Sequence, residues 1–214
     1  MDMNRFYNAE FIEHAQTMVK TYKLLQNDFM KMVDHCVEAV ENGNKIMFFG
    51  NGGSAADSQH LATELAVRYK NDRQAIASMA LTTDTSALTA TGNDFGFDFL
   101  FSRQIEAVGK EGDIAIGIST SGNSANVIKA FEKCRDMGIT TIGFGGETGG
   151  KMVDLCDVIL KVPSKTTARI QEMHITLGQM LCGAIEQRLG LVDVSYADTG
   201  MENVTLEEIL RQAA

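Results

Sequence analysis

The stretch KIMFFGNGGSAADSQHLATELAVRYK (residues 45–70) decides the fold. Ile46 to Phe49 form an apolar run without alternation, which stops at Gly50 and a glycine-rich turn. From Ser54 the residues resume at helical spacing, through residue 70. A strand that is apolar on both faces and is followed at once by a helix is the unit of a parallel sheet covered by helices. The unit recurs along the chain. DIAIGIS (113–119) predicts a strand and NSANVIKAFEKCRDMG (123–138) a helix closed by glycine. TTIGFGG (140–146) predicts a strand, KMVDLC (151–156) a short helix, and DVILKV (157–162) a further strand. TARIQEMHITLGQMLCGAIEQRLG (167–190) predicts a long helix, again closed by glycine. QAIASMAL (74–81) is the remaining strand candidate, with a helical or irregular region after it through residue 107. The expected class is therefore α/β, a three-layer sandwich with a five-stranded parallel sheet. The single proline, Pro163, follows the last strand, where it interrupts no ladder.

Outward from this frame, residues 4–42 carry apolar side chains at steps of three and four, from Phe11 and Ile12 through Val40. One long helix or two consecutive helices fit. The stripe is longer than a small sheet covers, so part of it is expected to pack on another copy of the chain. At the other end, TLEEILRQAA (205–214) opens with a Thr-x-x-Glu capping box and predicts a closing helix.

The chain has 214 residues, 44% hydrophobic and 22% charged, the composition of one globular domain that needs no covalent staples. Cys36, Cys134, Cys156 and Cys182 are scattered, with no C-x-x-C pair, which argues against a zinc knuckle and a disulfide framework. Reduced thiols in a cytoplasmic protein are the expectation. No signal peptide and no membrane-spanning stretch are visible. A formal net charge of −9 disfavours non-specific nucleic-acid binding. It also means that an anionic ligand must be held by local dipoles.

In open α/β sheets, ligands bind beyond the carboxyl ends of the strands. Two such ends here have distinctive chemistry. FFGNGGSAADSQH (48–60) offers Gly50, Gly52 and Gly53 for a tight turn, with Ser54 where the next helix begins. GISTSGNSANVIKA (117–130) gathers Ser119, Thr120, Ser121, Asn123 and Ser124 ahead of a helix. Either loop can be an ordinary turn with a good cap. Two in one sheet, one so rich in hydroxyls, point instead to a phosphate or sugar-phosphate site built from neutral donors at positive helix ends. Neither matches the Walker A pattern, and GNGGSA is a poor dinucleotide fingerprint. His60 and Glu64, four apart on one helix face, can ligate a metal or work as an acid–base pair, although such a pair is often only a surface contact. On the last long helix, Gln171 and Gln179 stand about 12 Å apart along the axis. His174 between them is expected to be a hydrogen-bonded packing residue.

Together GNGGSAADSQHLATEL, LTTDTSALTATGNDFGFD, GISTSGNSANVIKA and TARIQEMH resemble the sugar isomerase (SIS) domain family, and within it the phosphoheptose isomerases. The resemblance runs from the N-terminal helices to about residue 190. It implies a homotetramer with active sites at subunit contacts and conversion of sedoheptulose 7-phosphate to D-glycero-D-manno-heptose 7-phosphate through a cis-enediol, the first committed step towards bacterial surface heptoses. It divides the chain into N-terminal helices used in oligomer packing (1–42), the SIS domain (43–192) and a tail with a short helix (193–214), within one structural domain.

By position, the resemblance has Asn51, Gly52, Gly53, Ser54 and Gln171 line the substrate. Asn93 and Asp94 contact sugar hydroxyls, and Ser119, Thr120, Ser121 and Ser124 bind the phosphate. Glu64 is the expected base, and a desolvated carboxylate suits proton transfer near neutral pH. His60, Glu64 and Gln171 match positions that bind Zn2+ in family members that hold it, where the metal would stabilise the enediolate. One departure stands out. The family places a second catalytic and metal-binding histidine where this chain has Gln179, and an amide can offer an oxygen to a metal but carries no proton near neutral pH. The family also contains a non-catalytic tetrameric regulator that binds the replication initiator protein, which is the alternative, together with an isomerase of another ketose phosphate.

Overall fold

The computed structural model describes residues 2–192 together with Thr205, Leu206, Glu208 and Arg211. A single 39-residue helix, α1 (Met3–Glu41), opens the chain, capped by the Asp2 carboxylate. There follow β1 (Ile46–Gly50), α2 (Gly53–Ala66), β2 (Ser78–Ala80), α3 (Thr85–Asp94), a 3-10 turn (Phe97–Phe99) and α4 (Leu100–Val108). Then come β3 (Ile114–Ile118), α5 (Ala125–Asp136), β4 (Thr140–Gly145), a second 3-10 turn (Gly150–Asp154), β5 (Val158–Lys161) and α6 (Thr167–Arg188). All five strands are parallel, in the order β2-β1-β3-β4-β5.

Because side chains alternate across a strand, each strand feeds two cores. Ile46 and Phe48 join Ile114, Ile116, Ile142 and Phe144 in a core under α1, α2 and α6. Met47 and Phe49 point the other way and meet Phe101, Ile105, Val127 and Phe131 of α4 and α5. Phe49 stacks edge-on against Phe131 at 5.5 Å between ring centroids. This double burial is why the sequence shows unbroken apolar runs, and it gives the three layers.

Two boundaries differ from the sequence expectation. β2 is only three residues long, and α2 stops at Ala66 instead of running to residue 70. The cause is Arg73. Its guanidinium donates to the carbonyls of Glu64 (2.7 Å) and Val67 (3.2 Å), taking over the end of α2. The same side chain forms a buried ion pair with Glu186 of α6 at 2.7 Å, so the turn is locked to the far end of the fold.

The first turns of α1 extend past the sheet. Met3, Phe6, Tyr7, Phe11 and Ile12 are exposed there. Arg169 of α6 reaches this region and pairs with Glu10 (3.2 Å) and Glu172 (2.6 Å). At the C-terminal end, Thr205 Oγ1 accepts from the Glu208 backbone N–H (3.2 Å), while Glu208 Oε2 accepts from the Thr205 N–H (2.7 Å) and hydroxyl. This is the reciprocal geometry of the capping box. The rest of the closing helix expected over 205–214 lies outside the described residues.

Candidate active site

The strand order sets the site. From β1 the chain crosses to β2 on one side, and β3 continues to β4 on the other. The carboxyl ends of β1 and β3 therefore flank the topological switch point, where α/β sheets open a crevice. The two loops singled out in the sequence, 50–53 and 119–124, are the ones that meet there.

Both loops leave helix N-termini without a side-chain cap. α2 begins after Gly52, which has no side chain to cap it. α5 begins after Ser124, whose hydroxyl makes no capping bond. It lies instead 3.1 Å from the hydroxyl of Ser119, itself buried. An uncapped first turn at a strand end leaves backbone N–H groups and the positive end of the helix dipole for an anion. Ser121 Oγ accepts from the Asn123 N–H (3.1 Å), and Asn123 Oδ1 accepts from the Lys151 N–H (3.1 Å), so the hydroxyl loop is moored to the loop after β4.

One brace was missed in the sequence. The carboxamides of Asn51 and Asn126 bond reciprocally, Asn51 Nδ2 to Asn126 Oδ1 at 2.9 Å and Asn126 Nδ2 to Asn51 Oδ1 at 2.8 Å. Asn126 is buried in the first turn of α5. The pair ties the glycine loop to the hydroxyl loop across the crevice and occupies much of the bonding capacity of Asn51. Asn126→Asp would set a carboxylate against the Asn51 carbonyl oxygen and remove one donor. The expected result is a loss of about 2 kcal/mol of stability and at least a tenfold higher KM for a sugar phosphate, read by urea unfolding and initial rates. An unchanged KM would show that the brace does not set the loops.

A second group forms further along α2. His60 Nε2 lies 2.9 Å from Glu64 Oε1 and 2.8 Å from the amide nitrogen of Gln179. A single Nε2–H can serve both neighbours once the Gln179 amide is turned by half a rotation to present its oxygen, an orientation that heavy-atom positions leave open. Glu64 is largely covered, its side chain 19% exposed, against 50% for His60. The contact depends on close approach of α2 and α6. A Cβ on Gly178 would lie 2.5 Å from Leu61 Cδ1, so a larger residue there would push the helices apart. Gln171, a little over two turns earlier on α6, lies against Gly53, where a Cβ would fall 2.6 Å from its Nε2. Gln171 and Gln179 thus bracket α2 from its first residue to His60.

Asp57, one turn before His60, also escaped the sequence reading. Burial pushes its carboxyl above the usual carboxylate range, and His60 pulls it back. Asn93 and Asp94 lie exposed at the end of α3, bonded to each other (2.7 Å), and among the described residues no hydrogen bond joins them to either loop. His174 is fully buried, packs on Phe144 and bonds the Gly145 carbonyl through Nε2 (3.1 Å), the packing role expected of it.

Burial pushes the pKa of His174 down from 6.5 to about 4. Folded chains keep it neutral in a pH range where unfolded chains bind a proton. Stability is therefore expected to fall as pH drops from about 6.5 to about 4, by about 3 kcal/mol from this group, and to level off below. Urea unfolding of the wild-type chain and of His174→Asn at pH 7 and pH 4.5 checks this. An equal loss in both would rule His174 out as the cause.

With this geometry in place, three comparisons bear on it. The SIS domain family matches residues 10–146. A phosphoheptose isomerase of Paramagnetospirillum magneticum is 54% identical over 87% of this chain and 97% of its own length. The chain belongs to the phosphoheptose isomerase family. A second family member, from Campylobacter jejuni, is 51% identical over 86% of this chain and 99% of its own. The solved structure of the phosphoheptose isomerase from Neisseria gonorrhoeae superposes with a TM-score of 0.82 at 42% identity, covering 86% of this chain and 99% of that one. The one from Francisella tularensis gives a TM-score of 0.85 at 33% identity, over 87% and 100%. The chain thus shares their fold over nearly their whole length.

The metal expectation meets a limit in the donor set. Among the described residues no group of three or more His, Cys, Asp or Glu side chains comes together. His60 and Glu64 are two strong zinc ligands, whereas catalytic zinc is held by three such protein ligands. The carboxamides of Gln171 and Gln179 are weaker donors. These residues do not fit a tightly held Zn2+ within one chain.

Proposed function

We infer that the chain is an aldose–ketose isomerase that interconverts sedoheptulose 7-phosphate and D-glycero-D-manno-heptose 7-phosphate, a step towards bacterial surface heptoses. The observation that carries this reading is the pair of uncapped helix N-termini at the switch point, those of α5 and of α2, the helix that also presents Glu64. The phosphate dianion sits at the start of α5 among the hydroxyls of Ser119, Thr120, Ser121 and Ser124. The glycine loop with Asn51, Gly52, Gly53 and Ser54 lines the sugar, together with Gln171, Asn93 and Asp94. Neutral donors suffice because the dipole and the N–H groups supply the positive potential.

Glu64 takes a proton from C1 of the ketose. The electron pair left behind forms the C1–C2 double bond while the C2 oxygen gains a proton, which gives the cis-enediol. Return of a proton to C2 with loss of the C1 hydroxyl proton gives the aldose. The proton exchanged between the oxygens passes through water or a group other than Gln179, whose amide carries none. No step is routed through a metal. The exposed apolar turns of α1 support a homotetramer with its sites at subunit contacts. No helix among the described residues is long and apolar enough to cross a membrane, and a cytoplasmic setting suits the four free cysteines.

Incubation of the purified protein with sedoheptulose 7-phosphate, with the aldose product measured directly, tests the activity. Gln179 favours one competing reading, a non-catalytic regulator. Absence of turnover at high protein concentration, with capture of the replication initiator protein, would decide for it. Gln179→His completes a set of three strong ligands. It is expected to raise bound zinc towards one per chain by elemental analysis, with turnover kept or increased. A large loss of turnover would give Gln179 a role of its own.

A further inference from the structure

The family members above match nearly their whole length within 86–87% of this chain, and the resemblance in the sequence runs to about residue 190, which points to the residues beyond it as the part without a counterpart. The structure also leaves an apolar groove of about 350 Å³ between α1 and α6. Met18, Tyr22, Met30, Met173 and Met180 line it, and Leu206 contributes a further wall. Tyr22, Met30 and Met180 remain about half exposed. The groove continues through Phe29 and Met180 into a second cavity of about 350 Å³, whose lining includes Val192, the last residue described before the extension. The apolar track thus begins where the extension starts and holds Leu206 further on. Thr205, just before it, carries the capping box that starts a helical turn.

We propose that the C-terminal extension seats in the α1–α6 groove of its own chain, with Leu206 as its anchor. Its sequence suits the site. Leu206, Ile209 and Leu210 recur at helical spacing, and Glu207, Glu208 and Arg211 fall between and after them. The pattern is that of an amphipathic segment, whose apolar stripe suits an apolar groove. Methionine fills irregular gaps, which makes a groove lined by four of them a receptive surface for such a stripe. The anchor is separate from the proposed chemistry, and its failure would leave the isomerase reading untouched.

Peroxide footprinting of the methionines tests the proposal, because oxidation follows exposure of the thioether. The full chain is compared with Leu206→Asp and, as a second variant, with a chain ending at Val192. Met30 and Met180, about half exposed with Leu206 in place, are expected to oxidise about twofold faster in both variants, with the number of chains in the assembly by light scattering unchanged. Equal oxidation rates in all three would overturn the proposal. So would a variant in which the groove stays protected while the mass rises, since a second copy would then be its occupant. A fall in mass in Leu206→Asp would overturn the same-chain placement, because the extension would then bridge subunits.

Discussion

Glu64→Gln is expected to lower kcat by about 10³-fold or more, the scale of removing a positioned general base, with KM nearly unchanged. The substitution keeps the shape of the side chain and its place on α2, where the existing carboxylate is only 19% exposed and 2.9 Å from His60 Nε2. An amide can stay in contact with the imidazole but cannot accept the C1 proton. The loss should therefore appear in the chemical step and not in assembly. Exchange of the C1 hydrogen with deuterated solvent gives a second readout, which should disappear with turnover. A variant that retains turnover within tenfold of wild type, with the same exchange, would remove Glu64 from the base role.

Gly122→Ala should have the second largest effect, through geometry alone. Gly122 sits at φ 66°, a left-handed conformation in which a Cβ costs about 1–2 kcal/mol. A Cβ there would also fall 1.9 Å from the Gly149 carbonyl oxygen and 2.8 Å from the Gly150 nitrogen. Both neighbours are backbone, so no side chain can swing away. The loop after β4 must shift, and it is bonded to the hydroxyl loop through Met152 N–H to Gly122 O (3.1 Å) and Lys151 N–H to Asn123 Oδ1 (3.1 Å). We expect a stability loss of about 3 kcal/mol or more, adding overpacking to the backbone cost. If this loop holds the phosphate, as proposed, a displacement of about 1 Å is expected to raise KM on the order of a hundredfold. Thermal unfolding and initial rates measure both, and a KM within twofold of wild type would show that this loop does not hold the phosphate.

The parts of the molecule that were legible in the sequence share a cause. β1 and β3 are buried on both faces, β4 is buried beyond Thr140, and β5 at the sheet edge still buries Val158 and Leu160, so their residues are mostly apolar, and each is followed by a glycine or hydroxyl cluster that only a turn requires. α3 and α4 were left as an indefinite region because the covering helices there are short and α3 is mostly exposed, with Thr91 its only buried residue. The end of α2 was misplaced because its stop signal, Arg73, lies beyond the helix and acts through a fold-back that no local pattern encodes. The two loops proposed to hold the ligand stood out in the sequence by their glycines and hydroxyls. Their mutual brace did not, since Asn126 reads as an ordinary polar residue in a first helical turn until the strand order brings Asn51 opposite. Gly178 brings α6 against Leu61 of α2 beside Gln179, a closeness that no local pattern signals. The significance of Gln179 itself came from the family resemblance, since its spacing alone describes only a polar helix face.

The two loops hang from β1 and β3, the neighbouring strands nearest the middle of the sheet, and every residue of both strands is buried. Interior strands of this kind open only when the whole domain opens. The frame of the crevice should therefore survive heating for as long as the protein remains folded, and inactivation and melting should trace a single curve. Such a molecule does not dim gradually with temperature. It keeps working until cooperative collapse takes framework and function together.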